Sequence, residues 1–312
     1  MIISASRRTD IPAFYSDWFF KRIKEGFVLV RNPRQFRQVS RVLLTPDIVD
    51  LIVFWTKNPT PMIKRLDELR DYMYYFQFTI TPYGKDVEPN VPVKNPDILA
   101  TFKEVSKIAG SDRVIWRYDP ILLNEKYTAS YHIRAFAKMA KELNRYTDKV
   151  IISFVITSYR GLKGNAKTLS LSDFPDKMKR ELAASLASIA HEHGLTIDIC
   201  AEKMDLQEFG IGKACCVDDR LLTKNIKKDK NQRQECGCVS SIDIGMYNSC
   251  LNGCLYCYAN YSKGQVPGNN AKHNPSSPLL FSEVSFDDKI TERAAKTHSS
   301  QIHSKADDPV RF

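Results

Sequence analysis

The chain has 312 residues, of which 43% are hydrophobic and 26% are charged, and its 46 Lys and Arg residues exceed its 36 Asp and Glu residues, giving a formal net charge of +10. This composition excludes a disordered chain, a collagen-like repeat and a small disulfide-knotted protein, and no apolar run approaches the roughly 20 residues that span a bilayer. We therefore expect a soluble globular protein with one large α/β domain or two ordinary ones.

The start of the chain predicts a strand, a helix and an inserted two-stranded ribbon. The strand covers residues 1–6, and the helix covers residues 12–25 and ends before Gly26, the residue type most common just past a helix. Residues 27–30 and 38–44 have the β-rich composition of two paired strands, and the basic sequence RNPRQFR separates them.

After the ribbon, predicted strands and helices alternate regularly. The strand and helix pairs are 50–55 with 61–72, 75–81 with 96–109, 113–118 with 129–144, and 149–156 with 174–193. The last of these helices has Ser172 or Asp173 as its predicted N-cap. A strand over residues 195–199, a cysteine-containing loop and a short strand over residues 240–245 follow.

Seven strands joined by helical crossovers predict a parallel α/β sheet, because near-continuous apolar strands are buried on both faces. We predict a complete or partial (β/α) barrel that forms a single domain over residues 1–261 and carries the ribbon as an insertion. An open doubly wound sheet is the alternative. Residues 262–312 form a polar C-terminal tail that is expected to drape over the domain or to be partly disordered.

Polar residues follow the predicted strands, at the end where (β/α) barrels place their chemistry. Arg7, Arg8 and Asp10 come directly after the first strand, and Arg117 and Asp119 end the fourth. Cations and acids beside apolar strands indicate a polar, anion-binding mouth, although loops at strand ends are commonly polar in any case.

All eight cysteines lie between positions 200 and 257. In a reducing compartment such a cluster indicates metal binding or redox chemistry. Cys250, Cys254 and Cys257 form the pattern C-x3-C-x2-C, which suits a 4Fe-4S cluster whose fourth iron stays open for a ligand. A zinc site completed by Cys236 and Cys238 is the alternative.

The remaining cysteines predict a second metal site at the same rim. This site would draw on Cys200, Cys215, Cys216, Cys236 and Cys238. A second Fe–S cluster, a zinc ion and the absence of any metal all stay open at this point.

Four stretches of sequence together resemble a known family. They are ISASRRTDIPAFY near the start, VFWTKNP, RYDP, and CGCVSSIDIGMYNSCLNGCLYCYAN before the tail. They resemble the bacterial domain-of-unknown-function 1848 family over most of the chain. The C-x3-C-x2-C motif within them also resembles the cluster loop of the radical S-adenosylmethionine (SAM) superfamily, and CLYCYAN resembles its spore-photoproduct-lyase-like branch. This resemblance implies a 4Fe-4S cluster, SAM, an electron donor and an unknown substrate.

The position of the motif departs from that superfamily, whose members carry it after the first barrel strand. Here it follows the last predicted strand. First and last strands are neighbours in a closed barrel, so a permuted barrel would bring the motif to the same place. The resemblance then implies that Arg7 or Arg8 binds the SAM carboxylate and that Asp10 binds the SAM amino group.

Two segments of the chain carry a local excess of positive charge. Residues 31–41 hold four Arg and no acid, and residues 220–235 hold six Lys and Arg against two acids. These patches favour a nucleic acid or nucleotide substrate, and a solvated surface is the alternative.

Ser6-Arg7-Arg8 resembles an export signal, but no apolar segment follows, so we expect a cytoplasmic protein without membrane contact. The alternative function is a non-catalytic or electron-transfer protein with a cysteine-bound Fe–S or zinc site, which would also suit nucleic-acid binding.

Overall fold

The computed structural model describes residues 1–172, 174–218, 221–222, 226–230 and 232–294. In chain order the strands are β1 (Ile2–Ala5), β2 (Phe27–Arg31), β3 (Gln38–Leu43), β4 (Leu51–Thr56), β5 (Tyr74–Thr79), β6 (Val114–Ile121), β7 (Lys149–Phe154), β8 (Thr196–Ile199), β9 (Ile211–Lys213), β10 (Ile242–Asp243) and β11 (Lys289–Glu292). Eight of them form one parallel sheet in the order β10-β1-β4-β5-β6-β7-β8-β9.

Helices connect most of the successive strands of this sheet. They are α1 (Ile11–Phe14), α2 (Ser16–Glu25), α3 (Thr60–Ile63), α4 (Leu99–Ala109), α5 (Ala129–Leu143), α6 (Arg160–Lys163), α7 (Asp176–Glu192) and α8 (Gln265–Ala271). A π-helical turn over Lys94–Ile98 leads into α4, and short 3-10 turns cover Leu66–Leu69, Ser111–Arg113 and Gln207–Phe209. Among the described residues, no helix is both long enough and apolar enough to cross a membrane.

The parallel α/β sheet predicted from the sequence is confirmed, and its closure into a barrel stays a prediction. The first strand and the strand before the cysteine motif are neighbours, because β1 pairs with β10 through Ile3 with Ile242 and Ser4 with Asp243. This pairing places the residues that follow β1 and the cysteine motif that follows β10 at the same edge of the sheet. The sequence missed β9, whose three residues extend the sheet beyond β8.

Two predicted helices are shorter than the sequence indicated. The helix predicted over 12–25 breaks at Tyr15, which has a non-helical φ of −133° and donates its hydroxyl to the carbonyl of Ser249 at 2.6 Å. The helix predicted over 61–72 is the single turn α3 and a 3-10 turn, because Arg65 between them leaves the helical region with φ −119°. Its guanidinium stacks on the ring of Phe20 at 4.2 Å.

The N-cap of α7 predicted at Ser172 was wrong. Pro175 occupies the cap position and makes no side-chain cap hydrogen bond. Ser172 lies outside the helix, since its N–H donates to the carbonyl of Leu123 at 2.9 Å and holds the preceding loop against β6. Asp173 lies outside the described residues.

The inserted ribbon forms a second, three-stranded sheet. β2 and β3 pair antiparallel as predicted, but β11 from the tail joins them by parallel pairing with β3. Arg31 fixes this arrangement, because its guanidinium donates to Asp288 at 2.6 and 2.8 Å. The tail up to residue 294 therefore folds onto the domain, and residues 295–312 lie outside the described part of the chain.

The two faces of the large sheet bury different side chains, because alternate residues of a strand point to opposite sides. The helix-covered face contains the main core, with Phe54, Phe76 and Trp116 near its centre. The other face buries a smaller cluster in which strand residues meet Cys216, Cys238 and their neighbours. The strand residues of this cluster are Ile2, Leu51, Val53, Tyr75, Ile115 and Ile151.

A buried histidine in the main core makes stability depend on pH. His132 Nδ1 lies 2.8 Å from the Tyr118 hydroxyl, and Nε2 lies 2.8 Å from the carbonyl of Leu122. A neutral ring satisfies both contacts if Nε2–H donates to the carbonyl and Nδ1 accepts from the hydroxyl. Burial lowers the pKa of His132 from 6.5 to about 4, although the hydrogen bond to Leu122 opposes this shift.

We expect the free energy of unfolding to fall by about 3 kcal/mol as the pH drops from 7 to 4, because the unfolded chain takes up a proton on this histidine that the folded chain resists. Urea unfolding of wild type and His132→Gln across this range measures the effect. The variant should lose most of this pH dependence. An equal fall in both proteins would contradict the assignment to His132.

Candidate functional site

A cavity of about 520 Å³ lies at the carboxyl ends of the strands. This volume is within the range of small-molecule sites. Its wall contains residues from the ends of β1, β4, β5, β6 and β7 and from the cysteine-rich segments. The structure brings together in this wall the residues predicted to form a polar mouth, namely Arg7, Arg8, Asp10, Arg117 and Asp119.

Strand residues on the cavity face change from apolar to polar along the strands. On β6, Ile115 packs in the smaller apolar cluster, whereas Arg117 and Asp119 line the cavity. On β5, Tyr75 belongs to that cluster and Thr79 lines the cavity. This period-two pattern is visible in the sequence and also identifies Trp55 and Ser153, which the sequence analysis did not single out.

The three cysteines of the C-x3-C-x2-C motif all line this cavity. Burial raises the pKa of the Cys250 thiol to about 12, and the backbone N–H groups of Asn252 and Asp10 oppose this rise. Such N–H groups favour a thiolate, which is the form that binds metal. The structure thus supplies preformed N–H donors to a buried sulfur.

The thiol of Cys257 has a similar environment. Burial raises its pKa, while the backbone N–H groups of Asn260 and Ala259 oppose this shift. The Asn260 side chain also donates to the carbonyl of Cys250 at 2.6 Å, which closes the loop on itself. The backbone that follows the motif therefore turns back to face the motif's own sulfurs.

The turn inside the motif depends on Gly253. Its φ of +68° lies in the left-handed region, and a Cβ there would approach Pro89 and Asn90 to 3.2 Å. Asn90 holds the loop by donating its side-chain amide to the carbonyl of Leu251 at 2.7 Å. The motif is thus supported from the segment that follows β5.

A buried charge network lies behind Cys254. Glu88 accepts from Lys57 Nζ at 2.8 Å and from the Thr81 hydroxyl at 2.7 Å, and it also contacts Lys94 and the Tyr256 hydroxyl. Burial would raise the pKa of Glu88, but the two ammonium groups and their hydrogen bonds lower it to about 2.

The Lys57 ammonium also acts electrostatically on Cys254. Burial raises the pKa of the Cys254 thiol, and the positive charge of Lys57 opposes that shift. A cation therefore stands beside the central thiol of the motif. Lys57 directly follows β4, whereas its partners Glu88 and Lys94 carried no sequence signal.

Arg7 and Arg8 meet the Asp243 carboxylate, which ends β10. The hydroxyls of Ser4 and Ser6 donate to this carboxylate at 3.0 and 2.6 Å, and the backbone N–H of Arg7 donates at 2.8 Å. The Nε atoms of Arg7 and Arg8 both stay 3.9 Å from it. Arg7 Nη2 also donates to the Ser241 hydroxyl at 3.5 Å and Arg8 Nη1 to the Gly245 carbonyl at 3.3 Å, so both guanidinium groups lie in the cavity wall with long contacts.

Asp10 is buried and links three parts of the site. Its carboxylate accepts N–H donors from Ala13 at 3.1 Å, from Lys57 at 2.8 Å and from the Asn252 side chain at 3.0 Å. Burial raises its pKa, and these hydrogen bonds oppose the shift. Asp10 therefore joins the start of α1, the end of β4 and the cysteine loop.

The remaining cysteines separate into four that line the cavity and one that does not. Cys200, Cys216, Cys236 and Cys238 line it. The Cys215 thiol donates to the carbonyl of Gly237 at 2.6 Å instead. The five cysteines predicted to form a second site are thus brought to one region, with Cys215 turned away from the cavity.

The fit of the site to a metal or cofactor depends on its donors and on its unpaired groups. Within the described residues, no three or more His, Cys, Asp or Glu side chains already stand in a metal-binding arrangement, and all eight cysteines are free thiols. Ligation would therefore require thiol rotation.

Three buried polar atoms of cavity residues lack a hydrogen-bond partner within the described structure, namely Thr9 Oγ1, Trp55 Nε1 and Asn260 Oδ1. Thiols with N–H donors and unpaired polar atoms fit a thiolate-bound cluster with a polar ligand.

The two basic patches have different environments. Arg31, Arg37 and Arg41 of the first patch form ion pairs with acids that flank or belong to β11. From the second patch, Arg233 lines the cavity, and its guanidinium lies 5.9 Å from the centre of the Tyr159 ring. Of these residues, Arg233 is the one placed to meet a ligand of the cavity.

A known protein family matches most of the chain. The family described as Domain of unknown function (DUF1848) matches residues 2–259. No curated protein matches the sequence. The matched range includes Arg7, Arg8 and Asp10 and every cysteine of the chain, and it excludes β11.

Proposed function

The chain belongs to the domain of unknown function DUF1848 family, and we propose that it is an iron–sulfur enzyme of the radical SAM type. Cys250, Cys254 and Cys257 are the proposed ligands of a 4Fe-4S cluster. The observation that carries the proposal is that the thiols of one C-x3-C-x2-C loop share a cavity with Arg7 and Arg8 at the carboxyl edge of the sheet. Held by these cysteines and reduced by an electron donor, the cluster would supply the one electron that cleaves SAM to methionine and a 5′-deoxyadenosyl radical.

The chain's own residues would offset part of the cost of negative charge on the three sulfurs once the metal binds. N–H donors from Asp10, Asn252, Ala259 and Asn260 stabilise negative charge on the sulfurs, and Lys57 adds a positive charge beside Cys254. Hydrogen bonds to cluster sulfurs and burial are the features by which proteins set cluster potentials.

SAM would bind through its amino acid portion to the residues that follow β1. Arg7 and Arg8 carry the positive charge needed for the carboxylate, and their 3.9 Å contacts with Asp243 leave hydrogen-bond donors for a ligand. We propose Asp10 for the amino group, as the sequence implied. Its second role is to hold Asn252 and the cysteine loop, through the contact at 3.0 Å.

A permuted barrel is part of this proposal. The motif follows β10, and β10 pairs with β1, so the cluster loop and the residues after β1 share one edge of the sheet. We propose that β10 takes the place of the first strand of a usual radical SAM barrel and that β1 takes the place of the second.

The substrate class that the cavity favours is nucleotide-like. Arg117 and Arg233 supply positive charge, and Trp55 and Tyr159 supply rings on which a base can stack. A nucleic acid containing such a nucleotide would suit the same groups. The second candidate, a non-catalytic electron-transfer protein with a cysteine-bound metal, predicts metal without SAM cleavage.

The deciding experiment is to purify the protein anaerobically and measure iron, acid-labile sulfide and zinc, and then to add SAM and dithionite. Iron with matching sulfide, together with 5′-deoxyadenosine and methionine as products, supports the proposal. Iron and sulfide without SAM cleavage would favour the electron-transfer protein. Zinc alone, unchanged after iron reconstitution, would refute the radical SAM and electron-transfer roles and would favour a non-catalytic zinc protein.

We expect a double Arg7→Ala and Arg8→Ala variant to bind SAM about 10- to 100-fold more weakly, because a hydrogen bond to a charged group contributes about 1.5–3 kcal/mol. Calorimetric titration of the reconstituted protein measures the affinity. An Arg34→Ala and Arg37→Ala variant, which changes exposed arginines outside the cavity, is the matched control. Equal SAM affinity in both variants would remove Arg7 and Arg8 from the proposed SAM site.

A further inference from the structure

Four thiols outside the C-x3-C-x2-C motif form a continuous chain of contacts. The Cys216 and Cys200 sulfurs lie 3.3 Å apart. Cys238 packs in the same apolar cluster as Cys216 and Cys236 and interacts electrostatically with both thiols. Residues that are far apart in sequence, from the ends of β8 and β9 and from the segment before β10, thus place four sulfurs in one group.

Thiol rotation is needed to place these four sulfurs around one metal ion, and their closeness favours a single ion. Four thiolates on a tetrahedral zinc ion have Zn–S distances of about 2.3 Å, which puts neighbouring sulfurs about 3.8 Å apart. In a cubane cluster each thiolate binds a different iron, so the sulfurs stay farther from one another. Thiols in direct contact, such as Cys200 and Cys216, therefore match a single ion better than a cluster.

Charged and polar donors already surround these sulfurs. Arg117 Nη1 donates to Cys216 Sγ at 2.9 Å, and the backbone N–H of Val217 donates to Cys238 Sγ at 3.4 Å. Arg117 is itself held by Gln77 at 3.2 Å and by Asp119. A buried guanidinium beside a thiol offsets part of the negative charge that four thiolates would bring to one ion.

The segment that carries three of these cysteines has little other regular structure. Between β9 and β10, the described residues form one isolated bridge, Lys228 with Val239. Its apolar side chains, among them Ala214 and Val217, cover the smaller apolar cluster of the sheet. A cross-link to Cys200 would attach this segment to the end of β8.

We propose that Cys200, Cys216, Cys236 and Cys238 bind one zinc ion with tetrahedral thiolate coordination. The ion holds the segment between β9 and β10 against the sheet and so closes one side of the cavity. With four protein ligands the site is structural, since a catalytic zinc keeps a position open. The proposal does not depend on the radical SAM assignment, because it uses none of the three motif cysteines.

The test measures zinc in the full chain and in three variants. We expect about one zinc per chain in wild type and in a Cys250→Ala, Cys254→Ala and Cys257→Ala variant, and none in a Cys236→Ser and Cys238→Ser variant. Cys215→Ser is the matched control and should keep its zinc, because the Cys215 thiol faces Gly237. Loss of zinc in this control would overturn the proposed ligand set.

Cobalt titration of the metal-free wild-type chain covers the case in which a cysteine variant fails to fold. Thiolate-to-cobalt charge-transfer bands with intense tetrahedral ligand-field bands would support four sulfur ligands, and zinc should displace the cobalt. A folded wild-type chain that binds neither zinc nor cobalt would overturn the proposal. The iron and sulfide contents of the Cys236→Ser and Cys238→Ser variant should equal those of wild type. A decrease by the amount of one whole cluster would also overturn the proposal, in favour of a second Fe–S cluster.

Discussion

Replacing Cys250, Cys254 and Cys257 together by alanine should remove one whole cluster of iron and sulfide from the reconstituted protein and reduce SAM cleavage to background. The reason is that alanine offers no ligand, and each of these thiols lines the cavity in which the cluster is proposed to bind. Metal analysis and quantification of 5′-deoxyadenosine measure the two effects. This is the largest change in activity that we predict.

Two controls separate loss of the cluster from loss of the fold. Cys215→Ala removes a thiol from the same chain without touching the cavity wall and should leave iron, sulfide and SAM cleavage unchanged. Circular dichroism should show the same helix content in the triple variant as in wild type, since the motif loop contains no helix. Full retention of iron and sulfide in the folded triple variant would refute Cys250, Cys254 and Cys257 as the cluster ligands.

Long helices and strands could be predicted from the sequence, whereas some of the short ones could not. The apolar strands and the amphipathic helix Ala129–Leu143 were visible because their periodicity extends over several residues. β9 and β11 were missed because three or four residues carry too little pattern, and β11 becomes a strand only by pairing with β3. The break at Tyr15 likewise depends on a tertiary contact, with Ser249 far along the chain.

The site was predictable where chemistry follows from spacing or from position after a strand. The cysteine motif, Arg7, Arg8 and Asp10 were found in this way, and all of them line one cavity. Asp243 and Glu88 were not found, because a single acid in a loop or at a strand end has no distinctive local pattern. Their importance comes from partners that only the fold brings near.

Glu88 gives the largest predicted effect on stability. Glu88→Gln should lower the free energy of unfolding by about 3–5 kcal/mol, because removing one member of a buried ion network leaves the other charges unpaired. The orphaned charges are those of Lys57 and Lys94, whose ammonium groups both contact the Glu88 carboxylate. Urea unfolding at pH 7 measures the change. Glu142→Gln, at a half-exposed ion pair with Lys103, is the matched control and should cost under about 1 kcal/mol.

The cause can be isolated with a second variant and with pH. If unpaired ammonium groups are responsible, Glu88→Gln should cost less in a Lys94→Gln background, where one ammonium is left unpaired and not two. The pKa of Glu88 is about 2 in the folded chain against an ordinary value of 4.5, so its contribution is present above pH 4.5 and is lost as the pH falls towards 2. The difference corresponds to about 3 kcal/mol. An equal cost of Glu88→Gln with and without Lys94, or an equal cost at pH 2 and pH 7, would contradict the electrostatic explanation.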